Sequence, residues 1–195
     1  MSLVSRLSAV LRRAVRDPAL RRGARELSRS ALRAVQERHR SAGGRRPPLG
    51  DRAGGRPVEI DYAPHPDGHP DPGEVVWAWV PFEEDASRGK DRPVLVLAEE
   101  PAPAGGGASG QVLVALMLSS RDRAERGGIL TDEHGATWVD IGVGDWDAQR
   151  RASEVRIDRL LRLDPQAVRR EGGRLSRDRF EAVARAVRAA HGWGA

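Results

Sequence analysis

The sequence contains no cysteine, and Lys90 is its only lysine. The absence of cysteine excludes disulfides, zinc sites with thiolate ligands, iron–sulfur clusters and cysteine nucleophiles, and it fits a reducing, cytoplasmic setting. No apolar run approaches the roughly 18 to 20 residues that a membrane-spanning helix needs, so an integral membrane protein is not expected. A chain of 195 residues has room for one domain of ordinary size and an appendage.

Charge is distributed unevenly along the chain. Residues 1–56 contain 15 arginines and four acidic residues, a net charge of +11. Residues 57–195 contain 18 basic and 24 acidic residues, a net charge of −6. The basic character therefore belongs to an N-terminal arm, and the predicted folded domain is mildly acidic.

The arm, residues 1–40, has the pattern of two basic amphipathic helices. Apolar residues recur at three- and four-residue steps on both sides of Asp17-Pro18, with arginines between them. Such an arm either faces water or contacts nucleic acid, a partner helix or an anionic membrane surface, and the sequence leaves these alternatives open. Residues 41–72 are rich in glycine and proline and predict a linker, which places the folded domain at residues 73–195.

Five strands are predicted in the domain. Residues 74–80, 93–98 and 111–118 are short apolar runs bounded by turn-forming residues, and residues 136–143 and 153–160 alternate between apolar and polar side chains. The glycine-rich stretch between the second and third strands predicts a hairpin loop.

One helix is predicted to close the domain. Ser176 is the expected N-cap, and Phe180, Val183 and Val187 follow at helical spacing, so the helix would pack its apolar stripe on the sheet. Five strands without βαβ alternation predict an α+β fold, a mostly antiparallel, barrel-like sheet with a C-terminal helix.

Four segments of the domain resemble, in uninterrupted order, motifs of the PemK/MazF toxins of bacterial toxin–antitoxin pairs. They are residues 73–77 (GEVVW), 90–97 (KDRPVLVL), 115–120 (ALMLSS) and 153–164 (SEVRIDRLLRLD). The second, with its Arg-Pro pair before an apolar run, is the most specific. The resemblance covers about residues 73–190.

This resemblance implies a small SH3-like antiparallel β-barrel, usually a homodimer, that cleaves single-stranded RNA without a metal or cofactor. It also implies a cognate antitoxin as a partner. By resemblance, Arg92 and Ser119 are the catalytic residues. The residues expected to bind the substrate are Ser87, Arg88, Lys90, Ser120, Arg121 and Arg159.

The residue types suit the implied chemistry. RNA supplies its own nucleophile, the 2′-hydroxyl, so a protein needs to move protons and to stabilise charge on the phosphorus. The guanidinium of Arg92 presents several N–H donors in a rigid fork that matches two phosphate oxygens. A hydroxyl at Ser119 can hydrogen-bond to the same phosphate.

The chain also departs from the family pattern. Arg159 stands where the family has glutamine, Ser119 stands where it has threonine, and the loop before Arg92 lacks the usual residues. Two other functions therefore stay open: a nucleic-acid or protein-binding module that does not cleave, and a poison of DNA gyrase.

Overall fold

The computed structural model describes residues 48–103, 109–120, 128–169 and 173–194. The chain from Pro48 onward forms one compact unit. The predicted arm, the start of the predicted linker and the middle of the predicted hairpin loop lie outside the described residues.

The unit consists of strands followed by a C-terminal helix. The strands are β1 (Val75–Pro81), β2 (Gly89–Pro101), β3 (Gln111–Ser119), β4 (Ile129–Thr131), β5 (Thr137–Gly142), β6 (Ser153–Arg156) and β7 (Leu161–Leu163). A short 3-10 helix covers Pro165–Ala167, and helix α1 spans Arg177–Ala190. Among the described residues, no helix combines the length and the apolar character needed to span a membrane.

All strand pairs are antiparallel, and β3 lies at the centre of the sheet. The strand order is β1-β2-β3-β6-β5-β4, and β7 pairs with β3 as well. One edge of β3 is therefore shared: residues 113–115 face β7, and residues 118–119 face β6. The prediction of one strand over residues 153–160 was wrong for this reason, because the chain turns after Arg156 to reach a second position along β3.

The sheet is antiparallel as predicted, but the prediction of a closed barrel was wrong. Within the described residues, β1 and β4 lie at opposite ends of the strand order. The outer edge of β1 is occupied by other backbone, since the Trp77 and Val75 N–H groups donate to the carbonyls of Arg169 and Gly173, each at 2.8 Å. At the other end, the three residues of β4 are all exposed, and no apolar pattern predicted this strand.

Alternation along the strands builds one apolar cluster on each face of the sheet. The first includes Leu95, Leu116 and Val155 and packs with Phe180 and Val187 of helix α1. The helix begins directly after Ser176, the predicted N-cap residue, although the Ser176 side chain makes no capping hydrogen bond. The second cluster contains residues of β1, β2, β3, β5 and β7.

The segment 48–62, which we call the strap, packs on the sheet and helix. Val58 and Ile60 are buried, and the Tyr62 ring lies 5.4 Å from that of Phe180. The Arg52 N–H donates to the Leu160 carbonyl at 2.8 Å. The strap therefore belongs to the compact unit that begins at Pro48, because three apolar side chains in a polar stretch join its core.

We expect Ile60→Ala to lower the free energy of unfolding by about 2–4 kcal/mol, because it removes a buried side chain and leaves a cavity. The neighbouring Glu59→Ala, at an exposed position, should change it by less than about 0.5 kcal/mol. Urea unfolding of the full chain measures both values. If the strap behaved as a linker, the two variants would unfold at the same urea concentration.

Candidate active site

The structure places Arg92 and Ser119 on neighbouring strands at the same end of the sheet. Arg92 lies in β2 opposite Ala78, and Val94, two residues later, lies opposite Met117 of β3. Ser119 ends β3 two residues after Met117. Because side chains alternate along a strand, Arg92 and Ser119 share the face defined by the Val94–Met117 pair. Both residues are partly exposed, so this end of the face is open to a ligand.

Two carboxylates continue the same row across the sheet. Ser119 lies opposite Glu154 of β6, which in turn lies opposite Asp140 of β5. Glu154 is only 1% exposed. No pattern in the sequence indicates this burial, because Glu154 alternates with the apolar Val155 as an exposed strand residue would. Its strand, β6, lies between β3 and β5, and the first three of its four residues are buried.

We call residues 82–88 the β1–β2 loop. Three predicted substrate-binding residues lie in this loop or at the start of β2, and all are exposed: Ser87, Arg88 and Lys90. The Ser87 hydroxyl donates to Asp85 Oδ1 at 2.6 Å, and this bond and the Ser87 N–H hold the pKa of Asp85 below its usual value. The Arg88 guanidinium and the Lys90 ammonium lie 5.6 and 6.0 Å from the centre of the Phe82 ring. Two cations are therefore held at the start of the strand that carries Arg92.

Ser120 is exposed and directly follows β3, next to Ser119. Arg121, also predicted to bind substrate, lies outside the described residues.

Arg159 has surroundings that favour a structural role over the predicted substrate contact. It is 8% exposed, and its Nε donates to Asp51 Oδ2 of the strap at 2.7 Å. Its Nη2 donates to the Pro81 carbonyl at the end of β1, at 2.9 Å. A phosphate would have to displace the Asp51 carboxylate to reach this buried guanidinium. Sequence reasoning had no signal for this burial, because the partners lie about 80 and 110 residues away.

Arg156 of β6 lies at the centre of a second group of charges. Its guanidinium contacts both carboxylate oxygens of Glu83 and donates to Asp158 Oδ2 at 2.8 Å. Burial alone would lower the pKa of Arg156, but the hydrogen bonds and charges of Asp158 and Glu83 outweigh burial and raise it. Arg156 is therefore a permanent cation held by two carboxylates.

Asp158 links this group to β5. Its Oδ1 accepts the Thr137 N–H at 2.7 Å as well as a bond from Arg156. Burial acts to raise the pKa of Asp158, but these hydrogen bonds and the Arg156 charge outweigh burial, and the pKa lies below its usual value. The charged form is thus favoured in the folded protein.

The sequence profile described as PemK-like, MazF-like toxin of type II toxin-antitoxin system matches residues 71–191. Among solved structures, the crystal structure of MazE-MazF (Form-II) from Deinococcus radiodurans is similar, with 20% sequence identity and a TM-score of 0.41. That match covers 69% of this chain and 100% of the other. No curated protein sequence matches the chain at a significant level.

The profile match spans more than half of the chain and includes all seven strands and helix α1. The chain therefore belongs to the PemK/MazF family of toxins of type II toxin–antitoxin systems. The strap precedes the matched residues and is an addition to the part that the family shares.

We expect Asp158→Asn to lower the free energy of unfolding at pH 7 by about 1 kcal/mol, because it removes one partner of a partly exposed charged hydrogen bond. A carboxyl whose pKa is lowered by folding stabilises the protein above its unfolded pKa of about 3.9. That contribution disappears as the pH falls through the folded pKa.

The parent should therefore lose more stability between pH 7 and pH 3 than the Asp158→Asn variant does. Urea unfolding at the two pH values measures the difference, and Asp61→Asn, which changes an exposed aspartate, is the control. An equal loss in the parent and in Asp158→Asn would contradict this assignment.

Proposed function

We propose that the protein is an endoribonuclease toxin that cleaves single-stranded RNA without a metal ion. The observation that carries the proposal is the position of Arg92 and Ser119 at the same partly exposed end of two paired strands, in a chain of the PemK/MazF family. A guanidinium and a hydroxyl on one face can approach the same phosphate from two sides.

In the proposed reaction the 2′-oxygen of the RNA attacks the adjacent phosphorus. The bond from phosphorus to the 5′-oxygen of the next nucleotide breaks, and a 2′,3′-cyclic phosphate forms. Solvent water accepts the proton of the 2′-hydroxyl as this bond forms, and water donates the proton that the departing 5′-oxygen takes up. Arg92 donates two N–H groups to the phosphate oxygens, whose negative charge increases in the transition state, and Ser119 donates a third hydrogen bond.

Proton transfer limits the rate in this mechanism. Arginine has a pKa above about 12 and is a poor base near neutral pH. Charge stabilisation and alignment of the 2′-oxygen with the phosphorus then supply most of the acceleration. We expect a slow enzyme.

The residues around this pair fit binding of a short stretch of RNA. Arg88 and Lys90 offer cations, and Ser87 and Ser120 offer hydroxyls, on both sides of Arg92 and Ser119. Arg121 stays a proposed contact on the basis of the motif alone. We do not assign Arg159 to the substrate, because its donors already serve Asp51 and Pro81.

Family membership also supports proposals about partners and place of action. A toxin of a type II pair requires a protein antitoxin, and we propose that this chain acts as a homodimer, as the resemblance implies. Cleavage of cellular RNA would take place in the cytoplasm. The N-terminal arm, with its excess of arginine, is proposed to add contacts to nucleic acid, a partner helix or a membrane surface.

We expect Arg92→Ala to reduce kcat/KM for RNA cleavage by about 10²- to 10³-fold, because it removes the main donor to the developing charge. The measurement is cleavage of a long RNA in excess EDTA, with mapping of the cut ends. Arg185→Ala is the matched control, since it removes the same charge from an exposed position on helix α1.

Equal cleavage by Arg92→Ala and Arg185→Ala would contradict the proposal. RNA that is bound but uncut by the parent would identify a binding module instead. Altered DNA topology with intact RNA would indicate a gyrase poison.

We expect Ser119→Ala to lower kcat by about tenfold, because one neutral hydrogen bond to the phosphate is lost. Ser119→Thr keeps the hydroxyl and adds only a methyl group, so its kcat should stay within about threefold of the parent. Single-turnover cleavage with saturating protein measures both values. A Ser119→Ala variant as fast as the parent would show that the hydroxyl does not contribute to the reaction.

A further inference from the structure

The loop that precedes Arg92 is fastened to another strand by an ion pair. Glu83 in this β1–β2 loop contacts Arg156 of β6 through both carboxylate oxygens, with 3.1 Å between Arg156 Nη2 and Glu83 Oε2. The Arg156 side chain is 14% exposed, whereas that of Glu83 is 52% exposed. The arginine is therefore fixed in the fold, and the glutamate is a loop side chain that reaches back to it.

Arg159 supports the same end of the loop. Its Nη2 donates to the Pro81 carbonyl at the last residue of β1, and its Nη1 lies 4.0 Å from Glu83 Oε1. Arg159 is in turn held by Asp51 of the strap. Two anchored guanidinium groups thus define where the chain leaves β1 and enters the loop.

The charge balance argues against a phosphate site at these two arginines. Glu83, Asp158 and Asp51 are all in contact with them, so three carboxylates surround two guanidinium groups. The group has a net charge of −1 and would repel an anionic ligand. Its role is therefore within the protein.

The anchored loop leads directly into the proposed site. It ends with Ser87 and Arg88, and Lys90 and Arg92 follow at alternate positions of β2. The strand that provides the anchor, β6, is also the strand that pairs with Ser119. The contact between Glu83 and Arg156 therefore sets the loop relative to the strands that carry the two proposed catalytic residues.

We propose that Glu83 and Arg156 form a tether that orders the β1–β2 loop for RNA binding, which makes Glu83 a positioning residue. This inference rests on the proposed function, because it concerns the same site. Without the tether, the loop residues would have to be ordered when the RNA binds, and that cost would appear in KM rather than in kcat.

Glu83→Gln and Glu84→Gln make a matched pair for the test. Each removes one negative charge from the same loop, and Glu84 is exposed and lies outside the ion pairs described above. By electrostatics alone, both changes should improve binding of an RNA polyanion. The tether predicts that Glu83→Gln weakens RNA binding, whereas Glu84→Gln does not.

For Glu83→Gln we expect the KM for RNA to rise about tenfold relative to Glu84→Gln, the cost of ordering one or two side chains on binding. We expect kcat to stay within about twofold and the unfolding temperature within about 2 °C, because a partly exposed ion pair contributes little to stability. Glu83→Asp, which keeps the carboxylate, should recover most of the lost affinity. A KM for Glu83→Gln equal to or below that of Glu84→Gln overturns the proposal.

Hydrogen exchange separates this proposal from the proposed function. In the full-length protein without RNA, the amides of residues 82–88 should exchange about tenfold faster in Glu83→Gln than in Glu84→Gln, because the loop opens more often. If the parent cleaves no RNA but this difference is found, the proposed nuclease fails and the tether stands. Equal exchange in the two variants overturns the tether whatever the nuclease assay gives.

Discussion

The turn between β6 and β7 is the constraint on which most of the described structure depends. Arg156, Asp158 and Arg159 lie within four residues, and each holds a different part of the chain. Arg156 binds the β1–β2 loop through Glu83, Asp158 accepts the N–H at the start of β5, and Arg159 binds the strap through Asp51. The same turn lets the chain occupy the edge of β3 twice, first as β6 and then as β7.

This arrangement explains why charged residues are so close to the core. A buried guanidinium is costly unless its donors are satisfied, and Arg159 meets this condition with a carboxylate and a backbone carbonyl. The fold therefore uses these residues to fix geometry, while apolar burial on both faces of β3 supplies most of the stability. A substitution in this turn would therefore perturb the β1–β2 loop, the strap and β5 together.

The parts of the fold that could be predicted are those in which local pattern and tertiary environment agree. The central residues of β1, β2 and β3 are apolar in sequence and are buried in the sheet. The buried apolar residues of helix α1 recur at helical spacing. Strand β4 could not be predicted, because its three residues are exposed and only pairing with β5 makes them a strand. The strap could not be predicted either, since its glycine and proline content hides the residues that join the core.

The candidate site divides in the same way. Arg92 and Ser119 are predicted as catalytic residues by the resemblance of their motifs, and the antiparallel pairing of β2 with β3 brings the two positions together. Arg159 was expected to bind the substrate by resemblance, because it stands in the motif of residues 153–164 where the family has glutamine. Its burial depends on Asp51 and Pro81, and no local pattern in the sequence indicates contacts of that range.

The folded unit has a net negative charge, which limits how it could bind RNA. Residues 48–195 contain 20 basic and 25 acidic residues, a net charge of −5, so the proposed RNA-binding surface gains little from the release of counterions. Under the proposed function, affinity for RNA then has to come from a few donors that are already in place when the RNA arrives. Arg88, Lys90 and Arg92 are such donors only if the loop before them has a fixed course. We therefore expect the internal ion pairs that hold that loop to contribute more to the proposed RNA binding than to the stability of the fold.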